Sequence, residues 1–458
     1  MQHSRGRRAS ALLVGLTLAV GAAAAASGTV GATTEPPDTE PADTEPAGTE
    51  PMGSGPMTSA APGEGTVESA PTCTGEADGV LNIATVLPET GNLAFLGPPE
   101  FAGVQLAIDD INAAGGVLGA DVGLDQGDSG DASTDIANQT VDRQLAAGAD
   151  VFVGAASSGV SFTFIDKLVE NCKVHFSPAN TSPDFTTYAD DGLYFRTAPS
   201  DVLQGRILGE TMINDGVTSA VFLALQDPYG DGLLQYSTES FADSGGEVLD
   251  QFSYDPQAPT FDVEVDRVVS QAPEAVVIIG FEETAQILTA LFEAGITNES
   301  TKIYLVDGNV GNALGEQLPA GSMEGIKGTL PQAELTDDFR TRLLETDPEL
   351  IDFSYGPETY DAVIISALAA AAAGSDDPAA IAASINGITR DGEKCTTFAD
   401  CIALIEAGTD IDYDGPAGPM TFGPEGEPTE ASFAILTYDA NNLVIGGDAA
   451  PEYVFATL

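Results

Sequence analysis

Along most of this chain, short apolar runs alternate with longer stretches in which apolar residues recur every three or four positions. Val151-Phe-Val-Gly154 is one such run, with no polar side chain in it. An amphipathic stretch follows from about Val160 to Asn171, and a second strand pattern spans Lys173 to Phe176. Apolar runs of this length suit strands covered on both faces, and the stretches between them suit helices. Upstream, the same reading gives strand Leu81 to Leu87, helix Pro98 to Ala113, strand Val122 to Gln126 and helix Thr134 to Ala147. A second series begins after Tyr194-Phe-Arg-Thr197. It predicts helix Val202 to Asn214, strand Ala220 to Leu225, helix Gly232 to Asp243 and strand Val248 to Tyr254. Helix Phe261 to Gln271, strand Ala275 to Gly280, helix Glu283 to Ala294 and strand Lys302 to Val306 complete it. Asp361 to Ala373 reads as an Ala-rich helix and Gly415 to Pro424 as a turn-rich return. Alternation at this spacing implies parallel sheets of right-handed βαβ units, and two series imply two similar α/β lobes.

Open α/β sheets bind ligands beyond the carboxyl ends of their strands. Ala155-Ala-Ser-Ser-Gly159 follows one strand of the first series and Ser177-Pro-Ala-Asn-Thr-Ser-Pro183 follows the next. Hydroxyls and free amides therefore converge on one sheet edge. Ser157, Ser158 and Gly159 sit where a helix begins, so unpaired N–H groups and the helix dipole favour an anion there. Capping that helix is the ordinary alternative for both serines. The chemistry expected is capture of a small carboxylate without turnover. In the second series, Tyr229 stands in Asp227-Pro-Tyr-Gly230, Phe281 and Glu282 follow one strand, and Asp307-Gly308 follow another. A turn is the alternative for Tyr229 and for Asp307-Gly308, packing for Phe281, and a solvated helix start for Glu282.

At 458 residues the chain exceeds a single core and suggests two domains with accessory segments. Its 71 acidic residues face 15 basic ones, a net charge of −56. Such a polyanion repels nucleic-acid phosphates, so no nucleic-acid partner is expected. Arg5-Gly-Arg-Arg8, the apolar run Ala11 to Val20 and the small residues Ala24-Ala-Ala26 read as an export signal within residues 1–32. A retained anchor is the alternative, because Ala9 to Ala26 is nearly long enough to span a bilayer. Residues 33–72, with Thr-Glu-Pro recurring at Thr34, Thr39, Thr44 and Thr49, form a self-repelling linker that cannot bury a core.

Four cysteines fit an oxidising compartment. Cys395 and Cys401 can close a local disulfide, which leaves Cys73 and Cys172 as a long-range pair. Zinc is the rival reading, with poor ligand spacing and two histidines in the whole chain. His175 stands mid-strand and reads as a core or hinge residue rather than a catalyst. No phosphate loop, dinucleotide fingerprint or G-x-S-x-G elbow is present, and no cofactor is expected. Asp410-Ile-Asp-Tyr-Asp-Gly415 imitates half a calcium loop, but Thr421 stands at its twelfth position, and no metal is expected.

Several segments share a further pattern in the right order: Leu87-Pro-Glu-Thr-Gly91, Ala107-Ile-Asp-Asp-Ile-Asn-Ala-Ala-Gly-Gly-Val-Leu-Gly119, Ser177 to Pro183, Tyr194 to Thr197, Asp227 to Gly232 and Tyr360-Asp-Ala362. With these, residues Val80 to Leu458 resemble type I periplasmic binding proteins of the branched-chain amino acid class, the substrate-binding subunits of ABC importers. The resemblance implies an α/β fold of two Rossmann-like lobes with parallel sheets joined by a three-stranded hinge. Lobe 1 would take residues 73–198 and about 330–408, and lobe 2 residues 199–329 and about 409–458. It implies that Ser158, beside Ser157, holds a ligand carboxylate, and that Ala179 and Thr181, with Asn180 between them, add a carbonyl and a hydroxyl. Tyr229 would cover the ligand, and Leu96 replaces an aromatic wall. Some relatives place a Glu where Gly308 stands, so Asp307 beside it is the nearest ammonium anchor, with Glu282 second. The implied partners are a small amino acid, amide or other carboxylate and a membrane ABC permease, with the protein an exported monomer. Competing readings are a ligand sensor of the same fold, a hydrolase using Glu282 and Asp307 as a carboxyl pair, and a structural envelope protein.

Overall fold

Strands Val151–Gly154 and Val174–Ser177 are buried at every residue, as apolar runs between two helical layers must be. They belong to a computed structural model that describes residues 70–458; the export signal and residues 33–69 of the linker lie outside the described residues. The first sheet holds β1 (Asn82–Val86), β2 (Gly123–Asp125), β3 (Val151–Gly154), β4 (Val174–Ser177) and β5 (Tyr194–Arg196), all parallel, in the order β2-β1-β3-β4-β5. Its register carries Thr85, Val153, Phe176 and Phe195 side by side across the sheet.

The second sheet contains β6 (Ser219–Leu225), β7 (Glu247–Tyr254), β8 (Ala275–Ile279), β9 (Lys302–Leu305) and β10 (Lys327–Pro331). A small pair, β11 (Glu393–Cys395) and β12 (Ile411–Tyr413), stands apart, and β13 (Glu430–Thr437) and β14 (Glu452–Thr457) complete the large sheet in the order β14-β13-β10-β9-β8-β6-β7. Five of its strands run parallel; β13 and β14 close one edge antiparallel. The α/β fold with parallel-dominated sheets is the one expected, with an antiparallel edge that the residue pattern did not announce.

The described residues belong to one compact unit with two principal cores. One core gathers β1, β3 and β4 with helices Gly97–Ala113 and Gly356–Ala373, and Ile411, Tyr413, Met420 and Phe422 pack into it too. The other gathers β6, β8 and β9 with helices Pro228–Asp243 and Thr284–Glu293. The chain passes between the cores after Arg196, after Pro331 and between Phe422 and Glu430. At these crossings a buried ion pair ties β5 to the segment before β13: Arg196 Nε donates to Glu427 Oε2 at 2.8 Å, and Arg196 Nη1 donates to the Ser182 carbonyl at 2.8 Å.

The single helix expected from Val160 to Asn171 is two short ones, Ser158–Ser161 and Ile165–Glu170. Polar side chains divert the backbone here. Ser161 Oγ accepts from the Ala155 amide at 3.0 Å, and Thr163 Oγ1 donates to the Val160 carbonyl at 2.7 Å. Phe162 stacks on Phe185, with ring centroids 4.0 Å apart, which turns that segment toward β5. Disulfides join Cys73 to Cys172 and Cys395 to Cys401, with Cα separations of 5.9 and 5.4 Å. No helix among the described residues is long and apolar enough to cross a membrane.

Candidate functional site

Between the two sheets' carboxyl edges lies a narrow cavity. Ala156, Ser157 and Ser158 enter it from the end of β3, Ala179 from the end of β4, and Leu93 and Leu96 from the turn after β1. Tyr229, Phe281, Asp307 and Gly308 face them from the other sheet, and Tyr355 closes one side. Ser157 is indeed a helix N-cap, its Oγ accepting from the Val160 amide at 3.3 Å. Ser158 Oγ accepts from the Ser182 amide at 3.3 Å, which leaves its proton free for a ligand oxygen.

The opposite end of the cavity is acidic. Asp307 is buried and accepts three hydrogen bonds: from Tyr229 Oη at 2.7 Å, Tyr355 Oη at 2.6 Å and Gln204 Nε2 at 2.8 Å. All three donors are neutral. Burial pushes the Asp307 carboxyl up, against the pull of the Tyr355, Tyr229 and Gln204 bonds. The same burial raises both tyrosines well above their ordinary range, so they stay protonated donors. Asp201, in the first turn of helix Asp201–Asn214, is fully buried. Its carboxyl is pushed well up by burial and then by the charge of Asp307. A buried carboxylate ringed by neutral donors lacks the cation that would best offset its desolvation.

Local geometry explains two glycines. A Cβ on Gly159 would fall 2.1 Å from Asp227 Oδ2, an atom of the opposite lobe, so the helix tip and the Tyr229 turn meet only without a side chain. A Cβ on Gly308 would stand 2.8 Å from the Gly280 carbonyl and 2.9 Å from the Phe281 ring, which stacks on Tyr229 at 5.5 Å. A glutamate at position 308 would not fit, and Asp307 supplies the carboxyl from the neighbouring position.

A sequence profile described as periplasmic binding protein matches residues 80–442. The chain belongs to that family. It is a type I periplasmic binding protein of the branched-chain amino acid class, and the family is one of ligand-binding proteins. It is similar to the Leu/Ile/Val-binding protein homolog 1 of Brucella suis, 29% identical over 65% of this chain and 79% of the relative. It is also similar to the chemotactic signal transduction system substrate-binding protein BasB of Halobacterium salinarum, 24% identical over 76% of this chain and 84% of the relative. The crystal structure of LivJ from Streptococcus pneumoniae, a branched-chain amino acid transporter substrate-binding protein in complex with isoleucine, shares the fold. Its TM-score is 0.67 at 20% identity, over 82% of this chain and all of that one.

Within this binding protein, the cavity brings together Leu96, Ser157, Ser158, Ala179, Tyr229, Phe281, Asp307 and Gly308. It does not include Asn180, Thr181 or Glu282. Asn180 is a brace: its Nδ2 donates to the Ala155 and Ala156 carbonyls at 3.0 Å each. Thr181 is buried behind the wall, its carbonyl accepting from the Asp201 amide at 2.8 Å. Glu282 stands beyond Phe281 and lines a neighbouring cavity, so Glu282 and Asp307 do not face each other as a hydrolase pair. His175 is buried in the first sheet, its Nε2 2.7 Å from the Gly154 carbonyl, and burial lowers its pKa to about 3. Sequence reasoning missed Tyr355, Gln204, Leu93 and Ala156. Tyr355 adopts a left-handed backbone (φ 60°) just before helix Gly356–Ala373, a conformation no residue pattern announced.

Proposed function

We propose that this protein is an extracytoplasmic solute-binding protein that encloses a small amphoteric molecule, such as an amino acid, and delivers it to an ABC permease without chemical turnover. The observation that carries this reading is Asp307: a buried carboxylate held only by neutral donors, in the same cavity as the Ser157–Ser158 helix tip. A ligand ammonium at Asp307 and its carboxylate at the serines would satisfy both ends. Two disulfides support export to an oxidising compartment. Relatives named for leucine, isoleucine and valine support an amino acid as the ligand.

Calorimetric titration of the purified protein with a panel of amino acids tests the proposal. Asp307→Asn should weaken the bound amino acid about a hundredfold and Ser158→Ala about tenfold, with unfolding otherwise cooperative. Equal affinity in wild type and both variants would move the site elsewhere. A sensory role is favoured by one observation, the similarity to BasB over 76% of this chain. Loss of labelled amino acid uptake on gene deletion supports transport; intact uptake with lost taxis toward that amino acid supports sensing.

A further inference from the structure

One carboxylate is gripped from both lobes. Asp227 Oδ1 accepts from the Tyr229 amide at 2.9 Å and so caps helix Pro228–Asp243 of the second lobe. Its Oδ2 lies against Gly159 of the first lobe, where a Cβ would stand 2.1 Å away. The Gly159 amide stabilises the carboxylate from that side. Beside it, Ser182 Oγ of the first lobe donates to the Pro228 carbonyl at 3.1 Å. Parting the lobes breaks the Gly159 contact and returns the carboxyl to water, while the Tyr229 bond, made within one lobe, survives.

The charges that act on Asp227 most strongly are Asp231 on its own helix and Glu283 beyond β8, both acids. Asp201 of helix Asp201–Asn214 feels Asp227 in turn. Ser158–Ser161, Ser182 and Pro183, the first-lobe residues packed against this turn, bring no ionisable side chain. Arg196, a cation that acts on Asp201, is already paired with Glu427. Ser158, which offers its proton to a ligand oxygen, is followed directly by Gly159, so a ligand carboxylate would arrive beside that of Asp227. Two anions placed there without a cation disfavour each other, and the weaker acid keeps the proton. We propose that Asp227 takes up a proton as the lobes close on an amino acid, which makes it the residue that couples closure to pH. This rests on the amino-acid reading of the central cavity. With the lobes together, burial pushes the Asp227 carboxyl up to about 6 even before a ligand carboxylate arrives. That exceeds its ordinary value in water, so the closed protein holds the proton more tightly and ligand affinity rises as pH falls through 6.

Titrating the purified protein in buffers of different ionisation enthalpy counts the protons exchanged on binding. Leucine is the first probe, replaced by the amino acid of the panel that binds most tightly if leucine does not bind. Asp227→Asn and Asp227→Ser keep a helix-capping side chain and remove the titrating one, and either suffices if the other folds poorly. At pH 6 the wild type should take up about half a proton more than the variants. Its affinity relative to theirs should rise about tenfold between about pH 7.5 and pH 5. Asp307 is present in all three proteins, so its titration drops out of both comparisons. A cap with no proton to gain would change affinity by the same factor at every pH. Equal proton counts and parallel pH profiles in wild type and variants would overturn the inference and leave the amino-acid reading standing. If no amino acid binds, both fall.

Discussion

Glu358 lies in the first turn of helix Gly356–Ala373, fully buried, with one carboxyl oxygen unpartnered and its backbone carbonyl accepting from Thr197 Oγ1 at 2.9 Å. Thr197 begins the first crossing between lobes, so this carboxyl sits at the root of the hinge. Burial pushes its pKa up to about 8, and Asp361, one turn on, is pushed up to about 7 for the same reason. Both folded-state values exceed the unfolded ones, so the folded protein keeps protons that the unfolded chain releases. Their contribution is fully present below about pH 4 and is lost as pH rises through 7 and 8. Glu358→Gln should therefore shrink the fall in urea-unfolding free energy between about pH 5 and pH 8 by about 1 kcal/mol or more. An unchanged pH slope would mean that Glu358 is already ionised in the fold. Residues at strand ends were readable in advance: Ser157, Ser158, Tyr229 and Asp307 each follow an apolar run that had to be a strand. Tyr355 was not, because it reaches Asp307 from 48 positions away through a left-handed turn.

Elements were readable wherever burial alone decides them. Strands β3, β6 and β8 are apolar along nearly all their length and appear where the pattern placed them, whereas the helix beyond β3 broke where Thr163 Oγ1 takes the Val160 carbonyl that a longer helix would use. The loop after β4 depends on one distant partner. Arg196 donates to the Asn180 and Ser182 carbonyls and to Glu427, itself in the third crossing, so the loop bearing Ala179 is pinned from across the hinge. Arg196 was visible only as part of a short motif; Glu427, 231 positions away, carried no signal. Removing one member of a buried pair strands the other charge. Glu427→Gln should cost about 3–5 kcal/mol in urea unfolding, and Arg196→Met in the same chain should recover part of that loss. A cost below about 1 kcal/mol would show the pair to be solvated.

At the scale of the whole molecule, the proposed enclosure of a ligand needs the two halves to meet around it and part again, since contacts from both would exist only when they meet. Contacts between the two halves include Ser182 Oγ donating to the Pro228 carbonyl at 3.1 Å, the Glu282 amide donating to the Asn92 carbonyl at 3.3 Å, and Gly159 lying against Asp227. The last is the most sensitive to shape. A side chain at Gly159 points from the first lobe at an oxygen of Asp227, whose carboxylate also caps helix Pro228–Asp243 through the Tyr229 amide. Gly159→Val should therefore act as a wedge, leaving each lobe folded while holding the cleft ajar. The expected result is about a tenfold or greater loss of ligand affinity at a nearly unchanged ligand-free melting temperature. Small-angle scattering should show that the ligand no longer contracts the variant as it does the wild type. Shortening Asp227 to Ala in the same chain removes the atom being struck, so the double variant should regain closure beyond the sum of the two single effects. If Gly159→Val instead lowers the melting temperature and still contracts with ligand, the residue serves its own helix and the lobes close without that contact.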